Sequence, residues 1–491
     1  MKLLLISPPF TGFGGMDGQG GKQAPLNICY IAAEVRKNHP QVELRLLDGE
    51  NLRVSHDDVE KEVRDFQPDI VGMTFPTPAY LTVKECAARV KKVGRQIQVV
   101  VGGPHPSAFP AEILDEMPDI DLCFSGESEK SFSEYIGKCL HGGAISDIAG
   151  LTYRDASGKG HRNPNHELIE DLDTLDFPAR DLLPHIKYYS HAVKRVSTRN
   201  CGNMITSRGC PYDCTYCESK VIWTRKARVR SPQNVVDEID EMVNKYGIGE
   251  INFHDDIFPM RRDRTIEICQ MIQKRKLDVR WICMSRVNFV WDDVMAEMHK
   301  AGCRRIMFGL ESGSNTILKN IKKNATVERA YEAVQICKKA GIETMGSFMV
   351  GNIGETEDTI RETIDFAKKL DLDTASFFVA IPYPGTELYS QAVALGYLPP
   401  KVNWQDFCVV GERSGPLNLP TMSNERLRYW QAKALQEFYI RPKFVWKRLQ
   451  GIRSLKDVGI LLYGARTLVS MSAAGRKSGK TPFQKTGLQT T

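Results

Sequence analysis

The chain has 491 residues, of which 42% are apolar and 26% charged, a length that calls for two or three domains and a composition that excludes disordered, fibrous and disulfide-scaffold classes. Its net charge of +6 is unevenly spread: residues 441–491 hold eleven Lys or Arg and one Asp, net +10, which leaves the preceding 440 residues at net −4 and excludes a uniformly basic, nucleic-acid-coating protein. Thirteen cysteines fit a reducing, cytoplasmic compartment, where most would be buried as small apolar residues.

At the N-terminus, MKLLLIS runs directly into Pro8, Pro9 and glycine-rich sequence, which is neither a secretory signal nor a membrane span. Residues 1–140 then alternate short apolar runs with amphipathic segments. Strands are expected at KLLLIS, ELRLLD, DIVGMTF and QVVVGG, with helices at PLNICYIAAEVRKN, HDDVEKEVRDF and LTVKECAARVKKVG. This pattern predicts a parallel, doubly wound sheet, whose ligands sit at the carboxyl ends of the strands. Those ends are residues 7–15, Asp48, 74–78, 102–107 and 125–129, all rich in Gly, Pro, Ser and Thr. GFGGMDGQGG, at 12–21, is not the dinucleotide fingerprint.

Residues 141–195 read as a connector with a hairpin turn around ASGKG, then an acidic strap. From 196 to 395 the alternation resumes with a period near 35 residues. Strands are expected at NMITS, EINFHDD, VRWICMSR, RRIMFGLES, ETMGSFMVG and TASFFVAIPYPG. Six such units predict a partial (β/α)6 barrel, with chemistry at the C-terminal strand ends. Residues 396–475 read as helical and 476–491 as a disordered basic tail.

The densest chemistry is RGCPYDCTYCES, residues 208–219, with Cys210, Cys214 and Cys217 in one loop. Structural zinc normally takes four Cys or His ligands, and the later cysteines, Cys269, Cys283, Cys303 and Cys337, are scattered singly. Three is odd for disulfides. An iron–sulfur cluster remains: three thiolates can hold three irons and leave the fourth open to a small molecule. The loop follows a strand-like NMIT and precedes a helix that opens with Ser231 as N-cap and Pro232 at the first helical position.

C-x₃-C-x₂-C in this setting resembles the radical S-adenosylmethionine (SAM) superfamily. SPP, PLNICYIAAEVR, VGMTFPT, VVGGPHPS and SGESE, in that order, resemble the cobalamin-binding domain that precedes many such barrels, and LDTLDFPARDLLP resembles the strap between the two. The resemblance covers about 430 of the 491 residues. It implies a [4Fe–4S] cluster on Cys210, Cys214 and Cys217, with SAM on the open iron. It places Tyr216, Asp255, Asp256, Arg286, Glu311 and Ser347 along SAM, together with the backbone of GNIGET at 351–356. The Asp255–Asp256 pair stands where the family usually has Gly-Gly-Glu, which leaves open which carboxylate faces SAM. It places Ser7, Pro8, Thr74, Gly102, Gly103, His105, Gly126 and Glu127 around cobalamin. The D-x-H-x-x-G motif that supplies an axial histidine elsewhere is absent, so His105 is expected to pack at the cofactor's edge rather than to ligate cobalt.

The activity implied is methylation of an unactivated carbon through a 5′-deoxyadenosyl radical and methylcobalamin, with an external one-electron donor such as flavodoxin or ferredoxin. An anaerobic cyclase acting on chlorophyll-type pigments shares this architecture and is the alternative. A methylthiotransferase would need a second cluster, from Cys29, Cys86, Cys123 and Cys139, and a cobalamin sensor would need no cysteine motif. The basic, aromatic tail at 438–471 could pack on the barrel or lie on the inner face of a membrane. From such tails in the family, a hydrophobic or lipid-like small substrate is expected and no nucleic acid. GRKSGKT lacks the full phosphate-loop pattern and no strand precedes it.

Overall fold

The computed structural model describes residues 1–9, 23–164, 168–183, 196–197, 199–408, 415–442 and 444–446. The glycine-rich run 12–21, most of the 438–471 segment and the 476–491 tail lie outside the described residues.

The N-terminal sheet has the order β2-β1-β3-β4-β5-β6-β7. Its first five strands, β1 (Lys2–Ser7), β2 (Glu43–Asp48), β3 (Ile70–Thr74), β4 (Gln98–Gly102) and β5 (Leu122–Phe124), are parallel. β1 is buried on both faces because its alternate leucines enter different cores. Leu3 and Leu5 join α1 (Leu26–Asn38) and α7 (Glu129–His141) on one side. Leu4 and Ile6 join α3 (His56–Phe66) and α4 (Tyr80–Val93) on the other. Three shorter helices complete the layers: α2 (Gly49–Leu52), α5 (Pro104–Ala108) and α6 (Pro110–Glu116). α3 begins at a capping box between Ser55 and Asp58, which satisfies two otherwise orphan N–H groups.

The hairpin read as part of the connector belongs to this sheet. β6 (Leu151–Arg154) pairs antiparallel with β5, and β7 (Gly160–Arg162) with β6. Its turn chemistry was legible, but the edge it would join was not.

The second sheet is all parallel, in the order β15-β14-β13-β12-β11-β8. It comprises β8 (Cys201–Met204), β11 (Glu250–Phe253), β12 (Arg280–Ser285), β13 (Cys303–Glu311), β14 (Glu343–Val350) and β15 (Thr374–Val379). A two-stranded ribbon of β9 (Ser207–Arg208) and β10 (Arg228–Val229) frames the cysteine loop, which contains α8 (Ser219–Trp223). The outer layer is α9 (Pro232–Asp240), α10 (Arg262–Lys274), α11 (Asp292–Lys300), α12 (Asn315–Asn320), α13 (Val327–Lys339) and α14 (Glu357–Lys369). α9 starts as its sequence predicts, with Ser231 capping Asn234 and Pro232 in the first turn. The sheet curls without closing, a partial barrel, since β8 and β15 remain its two edges.

Both edges are covered. α16 (Asn424–Tyr439), which follows the short α15 (Glu387–Ala394), lies on β15. Gln431 donates to the Phe377 carbonyl at 2.8 Å and the Tyr439 hydroxyl accepts from Ala375 N at 3.1 Å, so exposed ladder groups are satisfied. On β8, Asn203 exchanges two 3.0 Å bonds with the backbone of Ala24, which brings the N-terminal domain onto the barrel's open side. No helix among the described residues is long and apolar enough to cross a membrane.

Candidate functional site

The cysteine loop leaves β9 at Gly209, whose φ of +85° and position against the Lys226 carbonyl leave no room for a Cβ. Thr215 ties the loop to two neighbours: its N–H donates to Ile321 O at 3.1 Å, and its carbonyl accepts from Leu388 N at 2.9 Å. Cys214 is buried, and Cys210 and Cys217 are half-buried. Arg286 donates through Nη1 to Cys214 Sγ at 3.3 Å and stacks 3.7 Å from the centre of the Tyr212 ring. Burial, aided by Asp256, pushes the Cys217 thiol up to about 12 and raises Cys210 as well. Burial outweighs the Arg286 cation that draws Cys210 down, and bound iron would reverse the direction. Among the described residues no three His, Cys, Asp or Glu side chains gather round one point, as a single ion requires. A cubane suits the donor set, because each thiolate takes a different iron.

Five charged groups stand at the barrel mouth. Asp255 is fully buried, and its oxygens accept from Thr206 N, Thr206 Oγ1 and Ser207 Oγ. It therefore braces the chain entering the cysteine loop and is sealed from the mouth, in place of the SAM contact expected for it. Asp256 is the member of the pair that faces the loop: it accepts from Ser219 Oγ at 2.6 Å, and burial raises its carboxyl. Glu311 sits at a register shift between β13 and β14 with φ +63°, so a bulge re-aims its side chain. Its Oε1 accepts from Tyr216 OH and from Lys323 Nζ, both at 2.9 Å, and Lys323 also donates to Tyr216 OH at 3.0 Å. Arg286 and Glu311 do not pair with each other. Arg286 serves Cys214 and the Lys323 carbonyl, and the cation beside Glu311 is Lys323.

Beyond the half-buried Ser347 on β14, the 351–356 turn buries Asn352 and Glu355. One Glu355 oxygen accepts from Gly351 N and Asn352 N, while its other oxygen and the Asn352 amide find no partner beyond each other. Burial lifts the Glu355 carboxyl to about 7. Unsatisfied buried polar atoms at a strand end suit a polar ligand such as SAM.

The rim of the N-terminal sheet is built of small residues. Ser7 and Pro8 end β1, Thr74 ends β3, and Gly102 and Gly103 end β4. Gly103 has φ +105°, and a Cβ there would stand 2.7 Å from Thr74 Oγ1 and 3.0 Å from Phe75 N. Gly126 has φ +75° with nothing within 4 Å of its Cβ position, and the neighbouring Ser125 Oγ is buried without a partner. Backbone cradles and an orphan hydroxyl of this kind fit a bulky cofactor such as cobalamin. His105 does not reach into that space. It is 1% exposed, bonded to Thr77 Oγ1 at 3.0 Å, and packed against Phe75, Tyr80, Phe109 and Trp404. Burial depresses it to about 3, so it stays neutral. Glu127, expected beside cobalamin, has both oxygens engaged elsewhere: Arg208, Arg228 and Ile169 N hold them.

A radical SAM superfamily model matches residues 204–367, and a B12 binding domain model matches residues 19–136. An uncharacterized methyltransferase of Pyrococcus horikoshii is 35% identical over 447 residues, covering 91% of this chain and 94% of the relative. The chain belongs to the cobalamin-binding radical SAM family. The anaerobic magnesium-protoporphyrin IX monomethyl ester cyclase of Rubrivivax gelatinosus is 30% identical, over 80% of this chain and 70% of that protein. Among solved structures, the cobalamin-dependent radical SAM enzyme OxsB with aqua-cobalamin bound aligns with a TM-score of 0.72 and 17% identity, over 96% of this chain and 72% of that one, a likeness of fold. As a member of this radical SAM family the protein is an enzyme whose cofactors are a [4Fe–4S] cluster, SAM and cobalamin. The cysteines a second cluster would need lie on separate elements. Cys29 is in one core, Cys86 and Cys123 in the core across the sheet, and Cys139 is exposed on α7.

Four residues at this site escaped sequence reasoning. Lys323 follows Lys322 just past the end of α12, and no local motif marks it. Arg208 and Arg228 bracket the cysteine loop, and only their pairing in the β9–β10 ribbon shows that they converge. Glu218 follows Cys217 directly. Its Oε1 is buried without a partner, and burial raises its carboxyl to about 7.

Proposed function

We propose that this enzyme methylates an unactivated carbon of a small, largely apolar substrate held between the rim of the N-terminal sheet and the mouth of the barrel. The observation that carries the reading is the shared wall between the two. At Gly385 the ideal Cβ position lies 2.9 Å from Val221, next to the cysteine loop, and 3.4 Å from Ala108 on α5 of the rim. The cysteine loop and the rim therefore pack against the same turn, which supports ligands held close to one another.

When bound, the cofactors supply hydrogen abstraction from carbon and a transferable methyl group. The chain supplies their placement. Cys210, Cys214 and Cys217 hold the cluster, with Arg286 orienting Cys214. Lys323, Glu311 and Asp256 present one cation and two carboxylates to the charged end of SAM, and Tyr216, Ser347 and the 351–356 turn take its nucleoside. Ser7, Pro8, Thr74, Gly102, Gly103 and Gly126 cradle cobalamin. Tyr383, Phe407, Trp404 and Phe109 form a continuous aromatic wall, with ring centres 5.2 to 6.4 Å apart, that excludes water and favours an apolar substrate. Glu218 gives that substrate one hydrogen-bond acceptor. The lipid-like end of this range, and contact of the basic C-terminal segment with a membrane's inner face, belong to the same proposal. So does electron delivery by a flavodoxin- or ferredoxin-type carrier.

Methyl transfer is favoured over cyclisation because the methyltransferase relative is matched over 94% of its length and the cyclase over 70%. With methyl-labelled SAM, a reductant, cobalamin and fractionated cell extract, the proposal predicts label in one fraction and near-equal S-adenosylhomocysteine and 5′-deoxyadenosine. Sustained 5′-deoxyadenosine in a substrate-bearing fraction, without S-adenosylhomocysteine, would establish the cyclase reading instead.

A further inference from the structure

The cysteine loop has two feet, and both stand on one carboxylate of the other domain. Arg208 and Arg228 lie opposite each other in the β9–β10 ribbon, directly before and after the loop. Arg208 Nη1 reaches Glu127 Oε1 at 2.9 Å, and Arg228 Nη1 reaches Glu127 Oε2 at 2.6 Å. Ile169 N donates to Oε2 at 2.9 Å, which fixes the carboxylate's plane. Arg208 Nη2 also bonds Glu129 Oε1 at 2.6 Å, so two cations face two anions. All four side chains are at most 9% exposed. The Arg208 guanidinium lies between the Tyr30 and Trp223 rings, 5.2 and 5.1 Å from their centres. Tyr30 belongs to the cobalamin domain and Trp223 to the cysteine loop.

Glu127 itself ends the β5 rim, one residue from Gly126 in the proposed cobalamin cradle, and Arg208 is two residues from Cys210. Burial alone would push the Glu127 carboxyl up, but Arg228 and Arg208 outweigh it and hold it below the usual range. A stability role alone would not require one carboxylate to take both ends of the cluster loop while sitting on the cobalamin rim.

We propose that Glu127 is a positioning residue: by holding Arg208 and Arg228 together it sets the separation and orientation of the cluster relative to cobalamin. The inference rests on the functional reading above, since it needs both groups to be bound. A buried carboxylate bridging two guanidinium groups is suited to such a task, because a displaced arm leaves a desolvated charge. Misplacement by about 1 Å can lower a group-transfer rate by about a hundredfold.

The test compares wild type with E127Q/R228Q, which removes one negative and one positive charge and leaves Arg208 balanced by Glu129, and with the shortened E127D. The readouts are iron and cobalamin content, the magnetic dipolar coupling between reduced cluster and cob(II)alamin in electron paramagnetic resonance, and the ratio of 5′-deoxyadenosine to S-adenosylhomocysteine. The proposal predicts unchanged cofactor content in both variants, a weaker and more dispersed coupling in E127Q/R228Q, an intermediate coupling in E127D, and a product ratio shifted about tenfold or more towards 5′-deoxyadenosine. Wild-type coupling and ratio in a fully loaded double variant would overturn it. So would loss of fold in both variants, which would assign Glu127 to stability alone. Failure of wild type itself to bind cobalamin beside a cluster would overturn the functional reading, and the positioning role with it.

Discussion

At the rim of the N-terminal sheet the chain offers backbone, glycines and short hydroxyls, and its one histidine is sealed away at 1% exposure. At the mouth of the barrel it offers charged side chains held in a network before any ligand arrives: Lys323 with Glu311 and Tyr216, Asp255 with Thr206 and Ser207, and Arg286 with Cys214. The difference matches the ligands. A bulky cofactor with few charges needs close backbone approach, which a Cβ obstructs. A charged sulfonium amino acid needs fixed counter-charges, which only a buried network can hold in place. The rim therefore depends chiefly on close backbone approach, and the mouth chiefly on paired charges.

Variants at three positions sharpen this contrast. The largest effect is expected at Lys323→Met, which strands Glu311 as an uncompensated buried charge. Breaking such a pair costs about 3–5 kcal/mol, read by urea unfolding, and the KM for SAM should rise while cobalamin binding is unchanged. Lys323→Arg should recover part of both. Gly103→Ala comes next. Forcing a Cβ into φ +105° against Thr74 and Phe75 costs about 1–3 kcal/mol, so cobalamin affinity should fall about tenfold or more with iron content intact. An equal loss of iron would show that rim and mouth are not separable. The smallest effect is at His105. Its folded-state value of about 3 lies below the ordinary 6.5, so the unfolded chain binds the proton more tightly and stability is lost as pH falls below about 6.5. His105→Gln should remove that loss, up to about 2 kcal/mol at pH 5, seen as a flatter dependence of the thermal midpoint on pH.

The same contrast explains what the sequence disclosed. Four of the six barrel strands lie within the segments predicted for them and β13 starts one residue early, because buried parallel strands are near-continuous apolar runs. β8 begins two residues before its segment and shares only Asn203 and Met204 with it. The cysteine motif was legible because its spacing is local. Lys323, Arg208 and Arg228 were not, because their partners lie between 12 and 107 residues away. Glu311's aim depends on a bulge that the pattern FGLES does not announce. Of the paired acids at 255–256, only the hydrogen bonds show which one is structural. His105 was expected beside cobalamin, and its removal from that space follows from Trp404, a residue 299 positions away that covers it with a centroid distance of 5.0 Å.

Under the proposed function, two separately built cofactor sites share one chain, with the cluster on the cysteine loop and cobalamin on the rim. The most direct measurement is the metal content of anaerobically reconstituted protein beside its Cys210→Ala/Cys214→Ala/Cys217→Ala variant, with 5′-deoxyadenosine formation followed in both. The account predicts iron and cobalt together in the wild type, and in the variant cobalt alone with no 5′-deoxyadenosine above background. Zinc in place of iron, or SAM cleavage surviving the loss of all three thiols, would contradict it.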